Sequence, residues 1–278
     1  MRAEKEKVAR FFDEISSEYR DAYSEGSRAS MRTQVLQSRR EVVLNLLPHQ
    51  KGRVLDIGCG PGVFARDLLE QGWEVWGVDI SPKMIKGIID GLERGERARR
   101  GYFLLGDIEA LPLPDRFFDA VLCIGVLEYL DGTPRALKEI ARVSKPGATI
   151  VVSIPNGMSP FNLLDKGALF LARRVLQVLE GGIRIWSKEY QLPIRRRSLR
   201  GQSPGQLCYH GNIERDLAVS GLSREKRVFH TYRSALISAL APSASLALGD
   251  YLEKNLPRVL RWTGVDCVIR ATKQGTKG

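Results

Sequence analysis

The chain has 278 residues, 43% of them hydrophobic and 27% charged, with 43 Lys and Arg against 32 Asp and Glu for a net charge of +11. That length and balance exclude wholesale disorder and collagen-like repeats, and they supply one large domain or two small ones. Four well-separated cysteines (Cys59, Cys123, Cys208, Cys267), none in a Cys-x-x-Cys pair, argue against structural zinc and a disulfide framework and for a reducing compartment.

The first residues are charged and lack the apolar core of a signal peptide, and no run of 18 apolar residues is present to span a membrane. The expected location is cytoplasmic, at most peripheral on the inner membrane face. Residues 1–50 read as helical: Val8, Phe11, Phe12 and Ile15 recur at helical spacing, as do Val35, Val42, Val43, Leu46 and Leu47. From Val54 the pattern changes. Strands are expected at Val54–Ile57, Glu74–Val78, Tyr102–Leu105, Asp119–Ile124 and Ala148–Ile154. Helices are expected at Phe64–Glu70, from Ser81-Pro82, and from Thr133-Pro134 to Val143, where Lys145-Pro146-Gly147 ends the last of them. Such alternation implies β-α-β units and a parallel sheet between helices.

Residues 157–210 break the rhythm with an apolar-basic segment, Phe161 to Val178, and the run Arg195-Arg196-Arg197-Ser198-Leu199-Arg200. A helix at Asn212–Ser220, a strand at Glu225–Thr231, helical material over 233–262 and a strand at Val265–Thr272 complete the chain. Charge follows this division. Residues 1–156 hold 23 basic and 23 acidic side chains, whereas residues 157–278 hold 20 and 9. The whole excess therefore belongs to the C-terminal part, where it suits an anionic partner.

The chemistry centres on Val54-Leu55-Asp56-Ile57-Gly58-Cys59-Gly60-Pro61-Gly62, a strand running into a glycine turn and a helix. Glycines let a ligand approach the main chain closely. The spacing is G-x-G-x-G, not the dinucleotide fingerprint G-x-G-x-x-G. Asp56 before the glycines would repel a pyrophosphate and welcome an ammonium or sulfonium group. Asp79 closes the second strand, where a carboxylate can accept both hydroxyls of a ribose.

Further blocks follow in order: Val78-Asp79-Ile80-Ser81-Pro82-Lys83-Met84, Gly106-Asp107-Ile108-Glu109-Ala110-Leu111-Pro112, Phe117-Phe118-Asp119-Ala120-Val121, Leu127-Glu128-Tyr129-Leu130 and Ala141-Arg142-Val143-Ser144-Lys145-Pro146-Gly147. With them the sequence resembles the class I S-adenosylmethionine-dependent methyltransferases, and within these the quinone-biosynthesis and small-molecule group, most strongly over residues 50–156. The resemblance implies an α/β fold: a doubly wound, mostly parallel seven-stranded sheet of the Rossmann-like methyltransferase type, with its last strand, Val265–Thr272, antiparallel. It implies N-terminal helices, and a helical, basic insert follows the fifth strand. The corresponding division is a lid at 1–50, an S-adenosyl-L-methionine-binding core at 51–156, an acceptor-capping or membrane-facing insert at 157–210, and completing strands and helices at 211–278.

The same resemblance assigns roles. Gly58, Gly60 and Gly62 would line the methionine part of the cofactor, with Asp56 near its ammonium; Asp79 would hold the ribose. Ile80 and Met84 would lie against the adenine, Asp107 would accept from its amino group beside Ile108, and Ile124 with Gly125 would pass under the cofactor. For Ile80, Met84 and Ile108, plain core packing is the competing reading. Phe11–Tyr19 resembles a lid helix, in which Tyr19 would cover the cofactor; core packing competes there too. Arg28 or Arg32 could reach a cofactor carboxylate.

The catalytic group is less marked. Relatives often carry His after the Leu-Glu pair following the fourth strand, and Tyr129 stands there in this chain. Of His49, His210 and His230, His210 at the junction of the insert and the last helix is the candidate base or substrate contact. No Asn/Asp-Pro-Pro-aromatic motif follows the fourth strand, which argues against methylation of nucleic-acid bases. The expected acceptor is a hydrophobic small molecule, with an anionic membrane surface as a further partner of the basic, apolar insert. Two alternatives stay open: an RNA or protein methyltransferase docking through the basic half, and a non-catalytic cofactor-binding subunit.

Overall fold

The computed structural model describes residues 2–17, 31–91, 100–165, 167, 210–232, 237 and 242–275. Seven strands form one sheet: β1 (Arg53–Ile57), β2 (Glu74–Asp79), β3 (Gly101–Leu105), β4 (Phe118–Cys123), β5 (Ser144–Pro155), β6 (Leu222–His230) and β7 (Asp266–Lys273). Their spatial order is β3-β2-β1-β4-β5-β7-β6. The pairs β1–β2, β1–β4, β2–β3 and β4–β5 are parallel. The last strand is antiparallel, as expected. Val265 N–H donates to the Thr231 carbonyl at the end of β6, while Gln274 N–H donates to Gly221 before its start.

The inner strands are near-continuous apolar runs because helices cover both faces of a parallel sheet. In β4, Ala120, Val121, Leu122 and Cys123 are all fully buried. The helices are α1 (Arg2–Glu14), α2 (Met31–Asn45), α3 (Ala65–Glu70), α4 (Pro82–Gly91), α5 (Pro134–Val143), α6 (His210–Val219) and α7 (Pro242–Asn255). One core cluster joins Val43, Leu46 and Leu47 of α2 and its following turn to Leu68, Leu69 and Trp73 around α3, against Val54 and Leu122 of the sheet.

Local signals explain the element ends. Ser81 caps α4 as its sequence suggests, its Oγ accepting the Met84 N–H at 3.1 Å, and Pro82 fills the first turn, where its missing N–H costs nothing. Thr133 makes no such cap; its hydroxyl donates to Asp216 on α6 instead. Strand β5 begins at Ser144, so Lys145-Pro146-Gly147 lies within a strand rather than in a loop. The Ser144 hydroxyl donates to the Ile140 carbonyl and Phe118 pairs with Ser144, with a register shift between Phe118 and Ala120 accommodating the Pro-Gly step. Strand β6 starts at Leu222, earlier than expected, and ends before Thr231, whose φ of 62° bends the chain away.

Contacts divide the chain into two compact units, residues 1–154, 210–228 and 267–278 in one and residues 155–209 and 229–266 in the other. In the second, Asn156 Nδ2 donates to the Trp262 and Gly264 carbonyls, both at 2.6 Å, and Tyr232 is buried with its hydroxyl 3.0 Å from the Arg261 carbonyl. Of the expected insert, residues 160–165 are helical. The segment 168–209, with most of the apolar-basic stretch and Arg195, Arg196, Arg197 and Arg200, lies outside the described residues, as do Tyr19 and Arg28. Among the described residues no helix is long and apolar enough to cross a membrane.

Candidate functional site

Strand order reverses between β1 and β4, and crevices outside the carboxyl ends of strands at such a switch point are where open α/β sheets bind ligands. A pocket of about 980 Å³, counted with its open mouth, lies there. The loops after β1, β2, β3 and β4 build its floor. After β1, Gly58 N–H donates to the Val78 carbonyl at 2.7 Å, folding the glycine turn over the end of β2. Gly58 and Gly60 have φ of +69° and +53°, which side chains rarely adopt. A Cβ at Gly58 would stand 2.2 Å from Val126 Cγ2, whereas one at Gly60 would meet nothing within 4 Å. Gly60 thus leaves bare backbone facing open space.

Asp79 ties the floor together. Its Oδ2 accepts the Gly60 N–H at 2.9 Å and its Oδ1 the Ser81 N–H at 2.8 Å, while its carbonyl accepts Gly106 N–H at 2.9 Å. Burial raises its pKa, and the backbone donors at Ser81 and Gly60 oppose that rise. After β3, Asp107 Oδ1 accepts the Glu109 N–H at 2.9 Å. After β4, Gly125 N–H donates to Ser153 Oγ at 2.8 Å and the chain turns with φ of +72°.

The structure brings most of the sequence-expected residues to this one place: Gly58, Gly60, Asp79, Ile80, Met84, Asp107, Ile108, Ile124 and Gly125 all line the pocket. Gly62 does not line it. A Cβ there would lie 2.4 Å from Ile88 Cδ1, so this glycine is required by the packing of the turn against α4 rather than by the pocket. Asp56 is not among the lining residues; it is 2% exposed, and its Oδ2 is buried without a hydrogen-bond partner among the described residues. Burial, followed by the charge of Asp79, pushes its pKa up to about 7. An uncompensated buried carboxylate costs free energy unless a cation meets it.

Helix α1 adds a further wall to the pocket. Lys5, Val8 and Phe12 of α1 line the pocket at helical spacing, while Phe11 and Ile15 on the adjoining face are buried. Lys5 Nζ lies 2.5 Å from both Asp107 Oδ2 and Glu109 Oε2. Burial lowers the pKa of Lys5, but hydrogen bonds to the two carboxylates outweigh that and leave it raised. At the other end of α1, Asp13 Oδ1 accepts the Ser81 hydroxyl at 2.5 Å and the Lys83 N–H at 3.1 Å. Phe12 meets the Tyr129 ring edge to face at 5.2 Å, and Tyr129 also lines the pocket. The Lys5, Val8, Phe12 stripe is the signal that would have found this face.

Histidines contribute less. His49 is exposed, and His230 is buried with Nδ1 2.9 Å from Thr231 Oγ1 in the second unit. His210 opens α6, and its side chain lies outside the described residues. Among the described lining residues Lys5 is the cation, already engaged by two carboxylates, and Asp79, Asp107, Glu109 and Asp131 are acidic. This field disfavours phosphates and favours a ligand with cationic or hydrogen-donating groups. An ammonium group suits Asp56, vicinal hydroxyls suit Asp79, and an amino-substituted ring suits the apolar lining of Ile80, Met84 and Ile108 with the Asp107 carboxylate.

Residues 55–152 match the family model described as Methyltransferase domain. The chain is 34% identical over 142 residues to malonyl-[acyl-carrier protein] O-methyltransferase of Pectobacterium atrosepticum, covering 51% of this chain and 50% of the relative. It is 32% identical over 138 residues to ubiquinone biosynthesis O-methyltransferase of Xylella fastidiosa, covering 49% and 55%. The chain therefore spans about half the length of the curated relatives it matches. Magnesium protoporphyrin IX methyltransferase from Synechocystis PCC 6803, solved with bound S-adenosylhomocysteine, superposes with a TM-score of 0.61 at 15% identity, covering 98% of this chain and all of that one. It shares the fold.

Proposed function

We propose that this chain, a methyltransferase-domain protein over residues 55–152, is an S-adenosylmethionine-dependent methyltransferase acting on an oxygen or nitrogen of a hydrophobic small molecule, quinone-, lipid- or natural-product-like. One observation carries the reading: a buried carboxylate oxygen of Asp56 lacks any hydrogen-bond partner among the described residues, and the charge of Asp79, which with Asp107 lines the pocket, acts on it. These groups suit the ammonium, ribose and adenine of one ligand.

When bound, the cofactor supplies an activated methyl group on a sulfonium. The protein's part is alignment and exclusion of water. Asp79 keeps lone pairs beyond those used by Gly60 and Ser81 and holds the vicinal hydroxyls. The bare backbone at Gly60 would admit the ligand close to the chain, and Ile80, Met84 and Ile108 are the apolar lining residues that would hold its flat ring. Val8, Phe12 and Tyr129 give the pocket an apolar roof, which excludes water and favours an apolar acceptor. His210 is the proposed base or substrate contact, and Tyr19 an additional cover. On this reading residues 1–50 supply the lid, 51–156 the cofactor site, 157–210 the acceptor side and 211–278 the rest of the sheet. The name of the ubiquinone relative supports a quinone-like acceptor.

The test is transfer from methyl-labelled cofactor into separate pools of quinols, fatty acyl thioesters, RNA and protein. Label extracted with the hydrophobic small molecules is the expected result. Label in RNA or protein overturns the acceptor, and no label in any pool overturns the transferase reading.

A further inference from the structure

Lys5 is the cation among the described residues that line the pocket, and the fold fixes where its ammonium lies. Helix α1 is docked through buried Phe11 and Ile15, and at its far end Asp13 Oδ1 accepts the Ser81 hydroxyl. At its near end Lys5 Nζ stands 2.5 Å from Asp107 Oδ2 and 2.5 Å from Glu109 Oε2. Those carboxylates belong to a turn that is itself tied. Asp107 Oδ1 accepts the Glu109 N–H at 2.9 Å, and the Ala110 N–H donates to the Asp107 carbonyl at 3.0 Å. A donor and an acceptor from distant parts of the chain therefore meet on one wall, each tethered by its own element.

The hydrogen-bond inventory of this wall is incomplete without a ligand. A lysine ammonium has three N–H donors, and Asp107 and Glu109 take two of them. Burial opposes the charge of Lys5, but its hydrogen bonds to the two carboxylates raise its pKa, so all three donors are kept. A carboxylate oxygen has two lone pairs, so Asp107 Oδ2 can accept from a ligand while it accepts from Lys5. Both groups stay accessible, the side chains of Lys5 and Asp107 being 25% and 32% exposed. The wall thus offers a spare donor beside a spare acceptor. The edge of a 6-aminopurine offers the converse pair, an amino N–H beside a ring nitrogen that accepts.

We propose that Lys5 is a specificity-determining residue for the cofactor, its third N–H donating to a ring nitrogen of the adenine whose amino group donates to Asp107. This rests on the pocket being an S-adenosylmethionine site. Calorimetry on the full chain compares S-adenosylhomocysteine with its 1-deaza and 7-deaza analogues, each of which has CH in place of one ring nitrogen beside the amino group. At least one analogue is expected to bind the parent about tenfold more weakly than S-adenosylhomocysteine. Lys5→Met keeps the length of the side chain without its donors and is expected to close that gap. Lys5→Arg restores donors and is expected to keep most of it. Looser packing of α1 would weaken all three ligands alike and leave the gap standing, so a structural role is told apart from a contact with the ring. Gaps that Lys5→Met leaves in place, or none in the parent, overturn the proposal while S-adenosylhomocysteine still binds. A parent that does not bind S-adenosylhomocysteine at all overturns the cofactor site and this role of Lys5 together.

Discussion

At the scale of single residues, two carboxylates govern the pocket and they differ in kind. Asp79 holds the floor through Gly60 and Ser81, so Asp79→Ala removes a structural tie and, on the proposed function, a ligand contact. Losing charge-assisted hydrogen bonds of this type costs about 3 kcal/mol, and S-adenosylhomocysteine is expected to bind roughly a hundredfold more weakly by calorimetry. Asp79→Asn, which keeps one acceptor oxygen, is expected to fall between the two.

Asp56 predicts a pH dependence. Folded, it keeps its proton up to about pH 7, against an ordinary value of 3.8. The free protein therefore loses stability progressively as pH rises across that window, and Asp56→Asn removes the loss. A ligand bearing an ammonium group needs the ionised form. Its affinity is expected to tighten by up to about tenfold from pH 6 to pH 8, and titrations of Asp56→Asn are expected to be flat over that range. Gly62 separates packing from binding. With φ of +83° and Ile88 in the way, Gly62→Ala is expected to cost about 2 kcal/mol in denaturant unfolding.

At the scale of elements, α1 is tied to the rest by charge at one end and by Asp13 at the other. Lys5→Ala leaves Asp107 and Glu109 facing each other without their cation. Amide hydrogens of α1 are expected to exchange several-fold faster in that variant, as they are in the parent at high salt. Core elements were readable because a buried parallel strand shows as an apolar run and Ser81-Pro82 carries its own cap. The start of β5 was not, because Pro146 and Gly147 read as a loop and only pairing with Phe118 makes Ser144 strand. Lys5 was invisible for a related reason: its carboxylate partner Asp107 is 102 residues away, and one charged residue among many in α1 gives no local sign of it.

At the scale of the whole molecule, charge and site separate along the sequence. The cofactor-expected part is neutral, and the surplus of +11 belongs to residues 157–278. An acidic pocket lining and a basic C-terminal part make opposite demands on partners, so the net charge alone specifies neither. The glycine turn, Asp79 and Asp107 were legible because each stands at or just beyond the carboxyl end of an apolar run that reads as a strand. The acceptor side was not, because it has no comparable local motif.

The pocket's acidic lining suits a cationic, ribose-bearing sulfonium cofactor and not a phosphate-bearing dinucleotide. Thermal unfolding with S-adenosylhomocysteine and with NAD tests it directly. A ligand held by the folded state at a hundredfold above its Kd stabilises it by about 2.7 kcal/mol, a shift of several degrees in Tm. That shift is expected with S-adenosylhomocysteine, is expected to be lost in Asp79→Ala, and is not expected with NAD. No shift with S-adenosylhomocysteine, or an equal one with NAD, would contradict it.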